Sequence, residues 1–390
     1  MNTFLRNVEL DGFLSFAPKS SQISLTPLNV VIGPNGSGKS NLIEAIELLR
    51  ALPADLAQPI REGGGVGEWI WKGSEPSGSA TVTVQIAGRA RKPDLLYGLS
   101  FAEVGQRLEV TEEALARQLP AGESKKLVYY KFRNGKASLV AADGRKLTPK
   151  RENFRLDQSI LSQRKDPVRY PEITWIGEQF GKIQTMREWG FGRRISLRRP
   201  QATDLPQDAL LPDGQNLALI LNEVENSDLR PRVNELVRRF YPRFNHLSTK
   251  IQGGTIQIYL HEDGLSAPVP ATRLSDGTLR FLALLAVLLR PGNSPLVCIE
   301  EPELGLHPDA LAIVAELLVE ASRRTQIIVT THSDVLVSAL SDHTESVVVC
   351  EQLGGGTEMR RLDSGKLQFW LDKYRLGELW RIGKLGGNPA

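Results

Sequence analysis

The chain has 390 residues, of which 41% are hydrophobic and 24% are charged, and its formal net charge at pH 7 is +3. This balance excludes an intrinsically disordered chain, and so small a net charge does not by itself argue for nucleic-acid binding. Because single hydrophobic cores stop growing at roughly 250 to 300 residues, we expect one main lobe and a second lobe inserted in it or packed on it.

The cysteines and the apolar runs limit the cellular setting. Cys298 and Cys350 lie in apolar, strand-like runs, and two cysteines cannot form a disulfide framework in a chain of this size, so we expect buried reduced thiols. The amino terminus lacks the apolar core of a signal peptide. The longest apolar run, Phe281–Leu289, is about half as long as a membrane span requires. We therefore expect a cytoplasmic protein without membrane contact.

The amino-terminal part begins with strand-like segments. NVELDGFLSF and SQISL precede the apolar run LNVVI, which leads directly into GPNGSGKS. In the following segment, apolar residues recur at helical spacing at Leu42, Ile43, Ile46 and Leu49. The sequence therefore predicts a strand, a glycine-rich loop and a helix in succession, which is the context of a phosphate-binding loop.

The next part of the chain predicts an antiparallel sheet. From about Ala80 to about Leu147 the apolar residues recur with a period close to two, as in TVTVQIAG, LLYGLSFAEV and KKLVYYKFR. Asn134-Gly135 and Asp143-Gly144 are typical two-residue hairpin turns. We predict an antiparallel meander over these residues.

Residues from about Asp157 to about Phe244 are predicted to be mainly helical and irregular, with two amphipathic pieces separated at Pro231. A further hairpin is predicted to turn at Gly253-Gly254. No heptad pattern persists, which excludes a long coiled-coil arm.

The last third alternates between helices and strands. LRFLALLAVLL and DALAIVAELLVEASRR are predicted helices, and LVCIE, QIIVT and SVVVCE are predicted strands. This alternation indicates an α/β fold with a doubly wound, mostly parallel sheet. We predict a head formed by residues 1–75 and 245–390 and an inserted lobe over residues 76–244. Within that lobe, the meander covers about 78–150 and the helical, irregular part covers about 151–244.

The segment from Gly33 to Ser40 matches the G-x4-G-K-[ST] pattern. Glycines let backbone N–H groups approach phosphate oxygens, and the positive end of the following helix adds to the attraction. Lys39 is expected to reach the β and γ phosphates of ATP, and the Ser40 hydroxyl is expected to bind Mg2+. The alternative, a chance glycine-rich loop, is disfavoured by the flanking strand and helix. The predicted nucleotide-binding residues of this loop are Gly33, Pro34, Asn35, Gly36, Ser37, Gly38, Lys39, Ser40 and Asn41.

Polar residues at the ends of two later strands are candidates for hydrolysis. Glu300 is expected to bind the magnesium ion and Glu301 to polarise the attacking water, whereas an isolated acidic pair would be better explained as the start of a solvated loop. His332 follows the strand QIIVT and could contact the γ-phosphate, although a lone histidine at a strand end is more often structural.

Ser275-Asp276-Gly277 opens the predicted helix LRFLALLAVLL. Serine and aspartate are good capping residues, which is the simpler interpretation. The functional interpretation is a second phosphate-binding helix start that supplies the Ser275 hydroxyl and the Gly277 N–H.

The order of these motifs resembles the ABC-type ATPases. Within them, the chain is most similar to the SMC/RecF-like branch and to its RecF-related bacterial ATPases without a coiled coil, the AbiEii-like and OLD-like group. CIEEPELGLHP and the tail YRLGELWRIGKLGG carry this likeness. It extends to about Leu49 and from about Arg273 to about Glu351, and it is weak over the middle. The resemblance implies a P-loop NTPase fold with an ABC-type head, the β meander and the inserted lobe.

The resemblance also implies how the site is assembled. Two heads would sandwich two ATP molecules, so that Ser275 and Gly277 of one copy contact the γ-phosphate held by the phosphate-binding loop of the other. Glu301 would be the catalytic base and His332 the switch histidine. The loop Leu304–His307 would cross the dimer interface.

Three positions depart from the family pattern. Glu300 stands where most relatives have aspartate, so its metal contact is shifted by a methylene or mediated by water. Asp276 stands where transporters usually have glycine, which places a carboxylate near phosphate unless it points away. The glutamine that usually joins the metal site is not marked; Gln163 is a candidate metal ligand, and a surface glutamine is the alternative.

The implied activity is slow, Mg2+-dependent ATP hydrolysis coupled to ATP-dependent homodimerisation. One hypothesis is a role in DNA repair or maintenance, in which the closed dimer clamps double-stranded DNA. It is supported by the resemblance and by Arg193-Arg194 and Arg198-Arg199, although such clusters are more often solvated. The alternative is the ATPase of a toxin or phage-defence system that gates a partner effector. A transporter motor is disfavoured, because such motors do not need the inserted lobe.

Overall fold

The computed structural model of the protein describes residues 3–20, 22–73, 77–89, 92–118, 127–149, 154–187, 190, 192–290 and 292–387. The chain divides into two compact units. The first unit comprises Met1–Ile183, Glu345–Asp363 and Leu385–Ala390, and the second comprises Gln184–Thr344 and Ser364–Lys384.

The elements follow one another along the chain as four stretches that alternate between the two units. The first unit begins with β1 (Leu5–Asp11), β2 (Ile23–Ser24), β3 (Leu28–Ile32), α1 (Lys39–Ala51), α2 (Ala57–Glu62), α3 (Val66–Trp69), β4 (Ala80–Ile86), β5 (Leu95–Val104), β6 (Arg107–Arg117), β7 (Val128–Arg133), β8 (Lys136–Val140), β9 (Lys146–Leu147), α4 (Ile160–Gln163) and α5 (Pro171–Gly181). The second unit then contributes β10 (Gln184–Met186), β11 (Gln201–Ala202), α6 (Leu217–Glu225), α7 (Arg230–Phe240), β12 (Phe244–Gln252), β13 (Thr255–Glu262), β14 (Val269–Pro270), α8 (Asp276–Leu289), β15 (Leu296–Glu300), α9 (Leu311–Ser322), β16 (Gln326–Thr331) and α10 (Asp334–Ala339). The chain returns to the first unit for β17 (Val347–Leu353) and β18 (Gly356–Arg361), and to the second for α11 (Ser364–Leu371) and α12 (Leu376–Arg381).

An antiparallel sheet of eight strands dominates the first unit, in the order β2-β1-β4-β5-β6-β7-β8-β9. Its strands alternate between buried and partly exposed residues, as β4 does along its whole length, because successive side chains of a strand point to opposite faces. The predicted meander is confirmed. The turns at Asn134-Gly135 and Asp143-Gly144 connect β7 to β8 and β8 to β9 as predicted.

The first unit also contains the predicted strand, loop and helix around Gly33–Ser40. All five residues of β3 are buried, and the apolar residues predicted for α1 face the core. The strand β3 pairs in parallel with β17, with Val30 opposite Val347. A strand of the first third of the chain is therefore joined to one of the last third, and β17 continues into an antiparallel hairpin with β18.

The second unit contains three parallel strands in the order β10-β15-β16. The helix α8 is buried at all but its first two residues, as expected for a helix that is apolar on every side. The predicted hairpin at Gly253-Gly254 connects β12 and β13. The break between α6 and α7 precedes Pro231, which lies in the first turn of α7 because proline lacks the N–H that an interior position needs.

The compact units divide the chain at places that differ from the predicted lobes. The meander strand β4 pairs along its length with β1, with Leu10 opposite Val82, so the meander extends a sheet that begins at the amino-terminal strand. An inserted lobe with limits at residues 76 and 244 was predicted as a segment that folds separately from the head. These limits stay a prediction.

Two further predictions concern burial. The thiols of Cys298 and Cys350 are free and buried, as predicted. Among the described residues, no helix is both long enough and apolar enough to cross a membrane.

A buried carboxylate joins the meander to α4. Glu113 is 2% exposed and accepts hydrogen bonds from the Tyr97 hydroxyl at 2.7 Å, the Ser159 hydroxyl at 2.6 Å and the Ile160 N–H at 2.9 Å. Burial raises the pKa of Glu113, while these donors act in the opposite direction. The carboxylate therefore fixes β5, β6 and α4 relative to one another.

The raised pKa of Glu113 predicts a pH-dependent stability. Its pKa is above the ordinary value of 4.5 in the folded protein, so the folded state holds this proton more tightly than the unfolded state. The free energy of unfolding should therefore fall as the pH rises from about 4.5 through the folded-state pKa. The free energy of unfolding would be measured by chemical denaturation of the wild type and of Glu113→Gln across this range. It should decrease less with rising pH in the variant than in the wild type. Glu112→Gln, which changes a half-exposed neighbour, is the control; a constant difference between wild type and Glu113→Gln at every pH would contradict the prediction.

Candidate functional site

In the first unit, the loop between β3 and α1 has the backbone of a phosphate-binding loop. Gly38 has a φ of 104°, in the left-handed region that favours glycine. A Cβ atom at Gly38 would lie 2.2 Å from Thr357 Oγ1. Only glycine therefore fits there, and α1 begins immediately afterwards at Lys39, with its first N–H groups unpaired within the helix.

The hairpin of β17 and β18 binds the carbonyl oxygens of this loop. Gln352 Nε2 donates to Gly36 O at 3.1 Å, and both Thr357 Oγ1 at 2.8 Å and Cys350 Sγ at 3.2 Å donate to Ser37 O. In a planar trans peptide the C=O and the next N–H point in opposite directions. The Gly38 N–H therefore points away from the hairpin, towards the side on which an anion can approach, whereas the Ser37 N–H donates to Pro34 O at 3.3 Å within the loop.

Two side chains of the loop complete this anion-binding side. Lys39 is 6% exposed, and its ammonium group donates to Gly33 O at 2.8 Å and to Pro34 O at 2.9 Å. The hydroxyl of Ser37 is buried and has no hydrogen-bond partner among the described residues. A buried hydroxyl without a partner is costly, so a phosphate oxygen would be a favourable partner for it. Ser40 is the second residue of α1.

A polar chain supports the loop from the side of β1. Asn41 Nδ2 donates to Ser15 Oγ at 2.6 Å, and Ser15 Oγ lies 2.6 Å from Thr357 Oγ1. Asn41, predicted to bind nucleotide, is thus engaged with Ser15. The sequence did not identify Ser15, Gln352 or Thr357, because each acts across a large separation in the chain.

The glycine-rich end of the tail YRLGELWRIGKLGG also lies at this loop. The Gly387 N–H donates to Glu351 Oε1 at 2.7 Å, and Arg360 donates to Leu385 O. A Cβ atom built on Gly387 would lie 3.3 Å from Gly33 Cα. The segment from Leu385 to Gly387 therefore packs against the start of the phosphate-binding loop.

In the second unit, the predicted metal ligand Glu300 ends the buried strand β15. Its carboxylate Oε2 accepts from Arg187 Nε at 2.9 Å. In the parallel register, Met186 lies opposite Ile299 and Glu300 lies opposite Thr330. The hydroxyl of Thr330 is buried and has no hydrogen-bond partner among the described residues.

The next residue, Glu301, has a strained backbone and faces the predicted switch histidine. Its φ is 46°, a region that non-glycine residues rarely adopt, and its N–H donates to Thr330 O at 3.0 Å. Arg280 of α8 donates to the Glu301 carbonyl. Glu301 Oε1 lies 3.7 Å from His332 Nε2, so the structure brings together two of the residues predicted to be catalytic, a set that also includes Lys39.

Glu303, which no sequence motif marked, binds the backbone of His332. Its Oε1 accepts from Thr331 Oγ1 at 2.7 Å and from the His332 N–H at 2.7 Å. Burial raises the pKa of Glu303. The following loop exposes Leu304, which is 43% accessible to solvent.

The structure gives Ser275 and its neighbours specific partners. Ser275 Oγ accepts from the Thr278 N–H at 3.0 Å and so caps α8, which is the simpler of the two interpretations. Asp276 pairs with Arg198 at 2.5 Å and accepts from the Gly192 N–H at 3.1 Å. The Arg198 guanidinium lowers the pKa of Asp276. The carboxylate that departs from the transporter pattern is therefore held by an arginine.

Two other predicted positions have different surroundings from those expected. Arg198 is buried, so it cannot form a solvent-facing cluster with Arg199, whereas Arg193, Arg194 and Arg199 are exposed. The amide of Gln163 accepts from the Arg155 N–H at 2.9 Å and donates to Gln158 O at 3.0 Å. It thus closes the loop before α4, and its role as a metal ligand stays a prediction.

Gly277 lies in the first turn of α8, close to the loop that follows Glu301. A Cβ atom at Gly277 would lie 2.6 Å from Gly305 O. Any side chain there would push the two segments apart, so their close approach requires glycine. The residues predicted for hydrolysis and for the second phosphate contact are all in the second unit, namely Ser275, Gly277, Glu300, Glu301 and His332.

Comparison with known protein families gives one match that covers most of the chain. The family described as "AAA domain, putative AbiEii toxin, Type IV TA system" matches residues 28–338.

Three individual relatives show how similar the chain is to curated proteins. The chain is 25% identical to the Old nuclease of Escherichia phage P2, over 94% of this chain and 62% of that protein. It is 20% identical to an ATP/GTP phosphatase of Helicobacter pylori, over 86% of this chain and 87% of that protein. With the chromosome partition protein Smc of Clostridium kluyveri it shares 32% identity, over 28% of this chain and 9% of that protein. The chain thus spans less than two thirds of the Old nuclease.

Solved structures of SMC heads share the fold. The SmcHead bound to the C-winged helix domain of ScpA gives a TM-score of 0.56 at 18% identity, over 93% of this chain and 99% of that chain. The Smc head with an extended coiled coil derived from Pyrococcus furiosus gives a TM-score of 0.56 at 15% identity, over 95% of this chain and 99% of that chain. These likenesses confirm the predicted fold, an ABC-type P-loop head.

The support of the loop by β18 predicts the effect of a conservative substitution. Thr357→Val keeps the shape of the side chain but removes the bond to Ser37 O. Because such a bond is worth about 1 kcal/mol, the affinity for ATP, the nucleotide expected from the sequence, should fall about fivefold in a titration. Thr357→Ser, which keeps the hydroxyl, should bind like the wild type. Equal affinity of the valine variant and the wild type would show that this bond does not orient the loop.

Proposed function

Since the chain belongs to the AbiEii-type AAA-domain family, a family of ATPases, we propose that it hydrolyses ATP slowly with Mg2+ and couples hydrolysis to the pairing of two copies. The observation that carries this proposal is the loop Gly33–Ser40: the hairpin binds Gly36 O and Ser37 O, the Gly38 N–H points to the opposite side, and the Ser37 hydroxyl is buried without a partner among the described residues. A loop with this geometry recognises the phosphates of a nucleotide whatever the rest of the protein does.

Phosphate binding is the first step of the proposed reaction. The Lys39 ammonium group would exchange its bonds to Gly33 O and Pro34 O for the β and γ phosphate oxygens. The Ser37 hydroxyl, buried without a partner among the described residues, would gain one. Because α1 starts at Lys39, its positive end also faces the phosphates.

The residues present suit a magnesium ion. Hydroxyl and carboxylate oxygens are the donors that Mg2+ prefers, and ATPases usually hold it with one or two protein ligands and the substrate phosphates. Ser40 and Glu300 would be those ligands, and the unpartnered hydroxyl of Thr330 beside Glu300 suits a bound water. Gln163 remains a proposed third ligand. When bound, the ion would neutralise charge that develops on the phosphates.

Glu301 would act as the general base. Its carboxylate would accept a proton from the attacking water, and the Arg280 and Thr330 bonds to its backbone would hold it in place. His332, 3.7 Å from this carboxylate, would contact the γ-phosphate, and Glu303 would keep its backbone fixed. Hydrolysis would remove these phosphate contacts.

The proposed pairing of heads requires a second copy of the chain. Ser275 and Gly277 of one copy would contact the γ-phosphate bound by the other, and Leu304–His307 would cross the interface. Asp276 would not repel the phosphate, because Arg198 neutralises it at 2.5 Å. ATP would then close the dimer and hydrolysis would open it, so that a local change controls assembly.

Two partners are proposed for this switch. The first is double-stranded DNA clamped by the closed dimer, as in DNA repair or maintenance; the exposed Arg193, Arg194 and Arg199 would contribute to it. The second is an effector protein gated by the ATPase in a toxin or phage-defence system. It is favoured by the description of the family and by the likeness to the Old nuclease over 94% of this chain.

The role of Glu301 predicts a trapped state. Glu301→Gln should bind ATP but lose at least about 100-fold of the turnover, because the amide cannot accept the proton. With ATP, the variant should accumulate as a dimer in light scattering, whereas the wild type should return to monomer as ATP is consumed. Lys39→Ala, which removes phosphate binding, is the control that should neither turn over nor dimerise. Normal ATP turnover by Glu301→Gln would show that Glu301 is not the general base.

The shared site predicts complementation between two inactive variants. Lys39→Ala disables the phosphate-binding loop and Ser275→Arg blocks the opposite contact, so each alone should be inactive. A mixed dimer would keep one intact site, because it combines the loop of one variant with the α8 start of the other. Random mixing should restore about a quarter of the wild-type turnover per protein. No recovery from two folded variants would contradict the two-copy site.

The trapped Glu301→Gln dimer also separates the two proposed partners. Retention of a circular duplex that depends on ATP and falls steeply with salt would support the DNA clamp. Equal retention with and without ATP would contradict it. The effector proposal would instead require an ATP-dependent complex with a nuclease or toxin.

A further inference from the structure

We propose that Arg187 is a positioning residue that competes with the divalent cation for the carboxylate of Glu300. This inference rests on the proposed function, because it concerns the metal ligand of the same site. It assigns a role to a residue that the sequence motifs do not mark, and it gives a reason for the glutamate at position 300.

The sheet register brings the two side chains together. Residues 184 to 186 of β10 lie opposite residues 297 to 299 of β15, so Arg187 and Glu300 are the next pair at the carboxyl ends of these strands. Side chains that lie opposite each other on parallel neighbours are on the same face. The result is an ion pair in which Arg187 Nε lies 2.9 Å from Glu300 Oε2.

The surroundings make this pair strong. The two side chains are only 22% and 16% exposed, so the charges are poorly screened and the carboxylate depends on a nearby cation. The bond engages Oε2, and the longer side chain of glutamate gives the carboxylate the reach to meet a guanidinium on the neighbouring strand. The methylene that distinguishes Glu300 from aspartate thus has a specific use.

Thr330 completes a polar row on the other side of Glu300. It lies opposite Glu300 in the register of β16, is 1% exposed, and its hydroxyl has no hydrogen-bond partner among the described residues. The carboxylate therefore has an arginine on one neighbouring strand and an unpaired hydroxyl on the other. A hydrated cation at Glu300 would give that hydroxyl a partner, whereas Arg187 gives it none.

The competition follows from charge. A guanidinium 2.9 Å from the carboxylate opposes the approach of a second cation, and it stabilises Glu300 when no cation is bound. Arg187 would therefore keep the site ordered without metal and weaken metal binding. Metal would bind firmly only when the phosphates of ATP add their negative charge.

The test separates the charge of Arg187 from its hydrogen bond. Arg187→Gln keeps a donor and removes the charge, whereas Arg187→Lys keeps the charge and loses the planar fork. Mn2+ binding would be measured by electron paramagnetic resonance on each protein saturated with a non-hydrolysable ATP analogue. Arg187→Gln should bind Mn2+ about threefold to tenfold more tightly than the wild type, and Arg187→Lys should bind within about twofold of it. Arg323→Gln, at an exposed arginine of the same unit, is the matched control.

A second measurement needs neither metal nor ATP. Without both, Arg187→Gln should lower the unfolding temperature, and the same change should have little effect in a Glu300→Gln background, because the anion is already absent. Such non-additivity reports the pair directly. Additive effects of the two substitutions would overturn the pairing.

The outcomes distinguish this inference from the proposed function. Unchanged or weaker Mn2+ binding by Arg187→Gln, with the wild type binding through Glu300, would overturn the competition and leave the ATPase proposal intact. If Glu300→Gln binds Mn2+ as tightly as the wild type, Glu300 is not a metal ligand, and the metal assignment and this inference both fail.

Discussion

The orientation of two peptide groups controls the nucleotide loop. The carbonyl oxygens of Gly36 and Ser37 bond to the hairpin of β17 and β18, and planarity of the peptide turns the neighbouring N–H groups to the opposite side. The loop sequence makes this geometry accessible, since glycine tolerates the backbone at position 38. The hairpin makes it stable. Residues separated by more than three hundred positions thus form one functional unit.

The features that the sequence predicted are those with local causes. Alternating apolar residues located the meander, Asn134-Gly135 located a turn, and the pattern at Gly33–Ser40 located the phosphate loop. Thr357 could not be found in this way, because nothing around it in the sequence distinguishes its hydroxyl from that of any other strand residue. Its importance arises only when β18 folds beside the loop.

The second unit shows the same division between local and non-local causes. The strand ending in Glu300 and Glu301 was recognisable, because an apolar run followed by two carboxylates is a local pattern. The burial of Glu303, by contrast, depends on the tertiary fold. Its two bonds to Thr331 and His332 fix the backbone of His332. The sequence predicted that His332 belongs to the site but not how it is held. The geometry of such a site depends on residues that hold the catalytic residues in place, and short sequence motifs do not include those residues.

The ion pair between Asp276 and Arg198 links two places that would otherwise vary separately over evolution. A relative that carried glycine at position 276 would leave a buried guanidinium without its anion, and one that lost Arg198 would leave an unpaired carboxylate at the start of α8. Either single replacement passes through a less stable intermediate. We therefore expect the two positions to covary, and a relative's residue at position 198 to forecast its residue at position 276.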